Sequence, residues 1–312
     1  MFKYIAQRLV FSIPVFLGVA TIVFLVVRVI PGDPAVAALG DYASKEAVEA
    51  LRQRMGLNES LPVQYVQFLA GLARGDLGTS MITGTSIRDD ILHSLPYTLE
   101  LTVLAIIIGA LLGIPIGVYT AIRRNRLADY IGRVLSLTGL SVPAFYLGIL
   151  LILLLAIHLN GLPAVGGGGM DDLRENLSHL VLPALTLGLV MTASVARLAR
   201  SAMLNVLRQD YVRTARAKGL KERVVYLRHA LRSALIPIVS VTGIWAVSLI
   251  GDSVTVEVVF ARPGLGKMMV GAILQRDYTA LQSIMVIYTG FVVVINLSID
   301  LIYGWVDPRI RH

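Results

Sequence analysis

Cysteine is absent from the 312 residues. That excludes disulfide bridges, thiolate metal sites and cysteine nucleophiles. Charge is scarce too: 15% of residues are Asp, Glu, Lys or Arg, against 56% hydrophobic. Few water-soluble domains carry so little charge, whereas chains that cross a bilayer several times do. His93, His158, His179, His229 and His312 are scattered without metal-ligand spacing. HExxH, paired-carboxylate and nucleophile-elbow patterns are missing, so an enzyme acting inside the membrane has no support. A phosphate loop is missing as well. Its nearest approach, GLGK at Gly264 to Lys267, lacks the first glycine and has Met268 where Ser or Thr is needed. It reads as a tight turn. Self-similarity at a period of roughly 20 to 50 residues is not seen.

What the chain does have is long apolar runs. A hydrocarbon core about 30 Å thick needs roughly 20 helical residues. Six stretches qualify: Leu9 to Ile30, Thr98 to Ile122, Ile131 to His158, Leu180 to Leu204, Leu235 to Phe260 and Ile284 to Trp305. The first runs too far for the apolar part of a signal peptide and shows no small-residue cleavage site, so it reads as an uncleaved span. Pro14, Pro115, Pro143 and Pro183 lie in or near spans. Each removes a backbone donor, so kinks or backbone groups satisfied by neighbouring helices are expected there.

Lys and Arg set the orientation. Lys3 and Arg8 precede span one, and Arg123, Arg124 and Arg126 follow span two. Eight more, from Arg208 to Arg232, separate spans four and five, and Arg309 and Arg311 close the sequence. With six spans all four groups fall on one side, the cytoplasm, and both termini lie inside. The net charge of +8 is therefore a matter of topology beside membrane lipid, and nucleic acid is not an expected partner.

The segment from Pro31 to Tyr97 has five basic residues and eight acidic ones, a net charge of −3, and reads as extracytoplasmic. PGDP turns the chain out of span one. SKEAVEALRQRMG, from Ser44 to Gly56, reads as a capped amphipathic helix, and Val63 to Gly75 as a second. GDLGTSMITGTS is a loop, and IRDDILHSL a third short helix. The apolar faces of these helices need a partner surface, expected at the outer ends of the spans. The glycine-rich NGLPAVGGGGMDDLREN is expected to be a mobile outer loop. The division is thus 1–30, the first span; 31–97, the helical insertion; 98–305, a core of five spans with a cytoplasmic coupling segment at 206–232; and 306–312, a cytoplasmic tail.

The most informative segment is YVRTARAKGLKERVVYLRHALRSALIP, from Tyr211 to Pro237. So basic a stretch between two spans determines topology. It also has the composition of a docking element: a helix ending at Gly219, a left-handed cap there, and a second helix restarting near Lys221 and running into span five.

At this point a resemblance is identified. RLVFSIPVFLGV at the start, IPGDP after span one, RGDLGTSM, GLSVPAFYLGILL, DYVRTARAKGL, RHALRSALIPIV, VVFARPGLGKMMVGAILQRDY and INLSIDLIYGWVDPRIR occur in order along the chain. Together they resemble the first permease subunit of dipeptide and oligopeptide ABC importers. The resemblance implies an all-α membrane protein with six transmembrane helices in the type I importer permease fold. It implies a homologous second permease subunit, two ATPase subunits that bind ATP and magnesium, and an extracytoplasmic solute-binding protein, in a bacterial or archaeal cytoplasmic membrane. No cofactor belongs to this chain, and it is not itself an ATPase. The coupling residues carried over are Arg213, Thr214, Ala215, Arg216, Lys218, Gly219 and Leu220. Ala215 and Gly219 would permit close approach, with Arg213, Arg216 and Lys218 as polar contacts. The general importer pattern has Glu at the position of Arg213, and this chain does not.

Polar groups inside spans are costly and usually face the bundle interior. Asp252, mid-span in the fifth stretch, either lines a translocation path or bonds a neighbouring hydroxyl; the family has a small residue there. Glu257 matches the family and is open to either a gating or a pairing role. Asn296 and Asp300 suit helix packing or arginine pairing, Arg197 and Arg200 the interface or Asp300, and Arg28 an outward-snorkelling role. The expected function is ATP-driven import of dipeptides or short oligopeptides. The alternative is an ion-gradient carrier or channel using Asp252 and Asp300 as a proton relay.

Overall fold

The computed structural model describes residues 2–29, 34–40, 43–54, 56–159 and 161–306. These residues are almost wholly helical. The order is α1 (Phe2–Val29), α2 (Pro34–Leu39), α3 (Lys45–Arg54), α4 (Leu61–Arg74), α5 (Ile87–Ile122), α6 (Leu127–Ser141) and α7 (Ala144–Leu151, continuing as π-helix Ile152–His158). Then come α8 (Leu173–Val206), α9 (Asp210–Ala217), α10 (Glu222–Val224, continuing as π-helix Val225–Ala230), α11 (Leu231–Val259), α12 (Leu265–Gln275) and α13 (Tyr278–Val306). Among the described residues five helices are long and apolar enough to cross a membrane, and the bent pair α6–α7 supplies the sixth span.

Three helical elements depart from the sequence expectation. The third span is broken: α6 and α7 meet at 105°. Pro143 is the cause, since Val142 before it is forced to extended backbone (φ −88°, ψ 120°) and the helix must stop. Pro14 and Pro183, by contrast, lie inside continuous helices. The third outer helix is not separate, because IRDDILHSL is the first part of α5. GLGK is more than a turn: Gly264 is the N-cap of α12, an apolar helix of 11 residues. The predicted tail lies almost wholly outside the described residues.

The chain divides into two compact units, Met1–Tyr97 with Pro263–Val294, and Thr98–Arg262 with Ile295–His312. In the first, α4 starts with a proline in its first turn and ends at Gly75 in left-handed conformation. It packs on α1 as the amphipathic pattern requires. Phe24 of α1 stacks on Phe68 at 5.7 Å and meets the edge of Tyr65 at 5.1 Å, and the Tyr65 hydroxyl shares a 2.6 Å bond with Thr21. Ile87 and Ile91 of α5 pack with Leu265 and Ala272 of α12 and Leu281 and Ile284 of α13.

In the second unit α8 is the central helix, with 72% of its most apolar stretch buried. Leu182, Leu187 and Val195 are fully covered by residues of α5, α7 and α11. Lipid tails are as apolar as leucine, so burial alone drives little here and close packing must do so. Gly109, Gly113 and Gly117 form a stripe at four-residue spacing on α5 that lets it lie against α8. A Cβ at Gly117 would meet the Ala196 carbonyl oxygen at 2.4 Å, and one at Gly109 the Met191 side chain at 2.5 Å.

The glycine-rich outer loop is pinned rather than loose. Gly166 N–H donates to the Phe260 carbonyl at 2.7 Å. Asp172 caps α8 by accepting from the N–H groups of Arg174 and Glu175. The glycines there permit close approach and left-handed backbone: Gly168 has φ 65°, and a Cβ on it would strike the Asn176 backbone at 2.7 Å.

Candidate coupling elbow and intramembrane polar sites

After α8 the chain turns through 207–209 into α9, whose eight residues read DYVRTARA. One face is apolar: Val212 and Ala215 pack with Val225 and with Val206 and Leu207. The opposite face is charged and exposed. The helix ends in a paired bond pattern, Leu220 N–H to Ala215 O at 3.4 Å and Gly219 N–H to Arg216 O at 2.9 Å. That is a Schellman closure, and it requires a residue in left-handed conformation. Gly219 supplies it at φ 76°. The backbone then restarts at Lys221 and enters α10. Arg216 Nε donates to Glu222 Oε1 at 3.0 Å, tying the two limbs together. The result is a solvent-exposed elbow with Gly219 at its tip.

The expected coupling residues divide on this geometry. Arg213, Thr214, Arg216, Lys218, Gly219 and Leu220 are exposed. Ala215 is not: it is 7% exposed and faces the second limb. Its small size serves approach within the elbow rather than approach of a partner. At Gly219 a Cβ would touch nothing within 4 Å, so the glycine is required by its dihedral angles and not by space. Arg213 lies 3.6 Å from Asp210 across an exposed helical turn, a pair of little energetic weight.

The intramembrane polar residues are placed as follows. Asp252 is exposed on α11, beside the exposed Gly251. Glu257 is fully buried and accepts a 2.7 Å bond from the Thr98 hydroxyl of α5. Asn296 is exposed, and the side chain of Asp300 lies outside the described residues. Arg197 is exposed. Arg200 has its partner, among the described residues, on α6. Its Nε and one terminal nitrogen bind both carboxylate oxygens of Asp129 on α6 at 2.6 and 2.9 Å. Asp129 is fully buried, accepts from the Asn125 N–H at 3.0 Å and lies 3.8 Å from Arg133. Arg28 is not simply turned out to water either. It stacks on Phe24 at 3.8 Å and donates to Gln64 and Gln282.

Two ionic clusters were missed by the sequence reading. One is Asp129 with Arg200. The other joins Glu100 of α5, Asn176 of α8 and Arg262 just beyond α11. Arg262 is completely buried and donates to the Glu100 carboxylate, to Asn176 Oδ1 at 3.1 Å and to the Gly167 carbonyl at 3.4 Å. The signal available in sequence was the lone Asp129 at the start of an apolar stretch, since an acid there needs a partner. Its partner 71 residues away carries no local mark.

Comparison with known proteins follows the same lines. Residues 113–312 match the family described as binding-protein-dependent transport system inner membrane component. Residues 1–102 match the corresponding N-terminal family, binding-protein-dependent transport system membrane component. The dipeptide transport system permease protein DppB of Alkalihalophilus pseudofirmus is 38% identical, with all of both chains covered. The glutathione transport system permease protein GsiC of Pectobacterium atrosepticum is 40% identical, again over the whole of both. Among solved structures, a chain of the MetNI methionine ABC transporter in an inward-facing conformation superposes with a TM-score of 0.55 at 20% identity, covering 70% of this chain and 96% of that one. At that identity the likeness concerns the fold, and it agrees with the type I importer permease architecture.

Proposed function

The chain belongs to the binding-protein-dependent transport system inner membrane components, and on that premise we propose that it forms half of a translocation path for dipeptides or short oligopeptides. The other half is a homologous second permease subunit. Two ATPase subunits bind ATP and magnesium on the cytoplasmic side, where both termini and the elbow lie, and an extracytoplasmic solute-binding protein delivers the peptide. The observation that carries the reading is full-length likeness to a permease named for dipeptide transport. The exposed elbow supports it, because a compact protrusion between two spans suits a grip by a soluble motor.

In this mechanism ATP binding closes the ATPase pair. The elbow from α9 to α10 moves with it, and α8 and α11, to which its limbs connect, switch access between the two sides. Coupling requires different contacts in the two states. Arg213, Lys218 and Leu220 on the exposed face meet the ATPase, and Arg216 holds the limbs together through Glu222. Asp252, on an open face of α11, lines the path. Glu257 joins α5 to α11 through Thr98 rather than contacting peptide. The ion-driven carrier finds no support in the family.

The test uses the complete transporter in liposomes. Gly219→Trp is expected to abolish dipeptide uptake and substrate-stimulated ATPase activity, while membrane insertion and subunit assembly persist. Normal uptake by that variant, or gradient-driven uptake by the purified chain alone, would overturn the reading.

A further inference from the structure

The unit made of Met1–Tyr97 and Pro263–Val294 contains a polar cleft of about 1000 Å³. Arg28, Arg52 and Arg54 all line it, and among the described residues its lining includes no Asp or Glu. Arg52 lies 3.5 Å from Glu49, outside that lining. Arg28 is the fixed member. Its guanidinium is stacked 3.8 Å from the Phe24 ring, its Nε donates to Gln64 Oε1 at 3.0 Å, and a terminal nitrogen donates to Gln282 Oε1 at 3.2 Å. Both glutamines are buried. The Gln64 amide nitrogen is itself committed to the carbonyls of Glu59 at 2.9 Å and Leu57 at 3.3 Å, which fixes the direction of its oxygen. Arg28 is thus held in one orientation by neutral acceptors.

A half-buried guanidinium held this way keeps its full charge in the cleft. The two bonds use two of its five N–H donors. A planar carboxylate, with two oxygens at matching spacing, is the complementary ligand. Arg54 adds positive charge beside it, Arg52 is paired with Glu49, the Asp277 carboxylate is occupied by the Ser80 hydroxyl, and Tyr278 with leucines of α3 and α4 supplies apolar wall. The cleft is ample for a molecule of two or three residues.

We propose that this cleft binds the C-terminal carboxylate of a short peptide, with Arg28 as the anchoring contact, before the peptide enters the translocation path. The proposal rests on the peptide-import reading above and adds a site to it on the side that the charge pattern makes extracytoplasmic.

The experiment measures binding by isothermal titration to the assembled transporter in lipid nanodiscs, without the solute-binding protein. The probes are alanyl-alanine, its C-terminal amide and inorganic phosphate. The free acid is expected to bind at least about tenfold more tightly than the amide, as loss of a charge-assisted pair implies. Arg28→Gln should reduce free-acid binding to the level of the amide, and Arg54→Gln should weaken it about threefold, with thermal unfolding unchanged. Equal binding of acid and amide, no binding of either, full competition by phosphate, or wild-type affinity in Arg28→Gln would each overturn the site. Should Arg28→Gln fail to fold, the acid and amide comparison on the wild-type assembly decides. Peptide uptake by the wild-type assembly with its binding protein is measured in parallel. Uptake without cleft binding removes the site alone, and absence of uptake for every peptide removes the peptide reading.

Discussion

The two ends of α8 are each held by a buried ionic contact, but in different ways. Near its start, Asn176 joins Arg262 and Glu100. Near its other end, Arg200 grips Asp129. At 1.5 Å per residue the anchors are about 36 Å apart, close to the hydrocarbon thickness of about 30 Å. The two ionic anchors of α8 thus stand near the margins of the apolar layer. At the first margin the guanidinium is wholly enclosed, shares its donors among a carboxylate, an amide oxygen and a backbone carbonyl, and pins the glycine-rich loop as well. At the second the carboxylate is enclosed while the Arg200 side chain remains 21% exposed. The lesson is that an enclosed cation has no retreat, whereas a partly exposed one can turn toward the membrane margin when its partner is lost.

That contrast can be broken experimentally, and the largest effect is expected at the enclosed end. Arg262→Ala leaves Glu100 and Asn176 without their shared donor and removes the loop anchor, at a cost of about 3–5 kcal/mol. Thermal unfolding in detergent should show it, together with protease cleavage within 160–172. Asp129→Asn keeps the shape and some hydrogen bonds while removing the charge. A loss of about 2 kcal/mol is expected by the same assay. If it equals or exceeds the loss from Arg262→Ala, exposure of the cation does not explain the difference between the ends. The smallest effect is expected at the junction of α5 and α11. Thr98→Val removes one donor to Glu257 and should cost about 1–2 kcal/mol, with uptake retained. Lost uptake with unchanged stability would instead make Glu257 part of the path.

Much of this architecture is legible in sequence because membrane spans are marked by composition over about 20 residues, a signal that needs no partner. Leu9 to Ile30 and Leu180 to Leu204 fall within α1 and α8 for that reason, give or take a terminal residue. Gly219 was legible too, since a helix-ending glycine amid polar residues has one common conformation. The break at Val142–Pro143 was harder. Both halves of the stretch are apolar, and a proline alone does not say whether a helix stops, as the continuation of α8 through Pro183 shows. The inward turn of Ala215 required the position of Val225 on the second limb. The arginine pairs were hidden for a further reason. Arg200 and Asp129 are brought together by helix packing, and sequence spacing records only neighbours on the same helix.

Asp252 has a consequence for biogenesis. It stands exposed on α11, and a carboxylate within a span is costly wherever it meets lipid instead of water or a donor. A copy synthesised without a companion permease would carry that penalty throughout its lifetime, favouring displacement of the helix or capture by membrane quality control. If the proposed pairing with a second permease places Asp252 on the path, assembly would relieve that cost by offering water or a donor, and the same acidic group would make solitary chains short-lived.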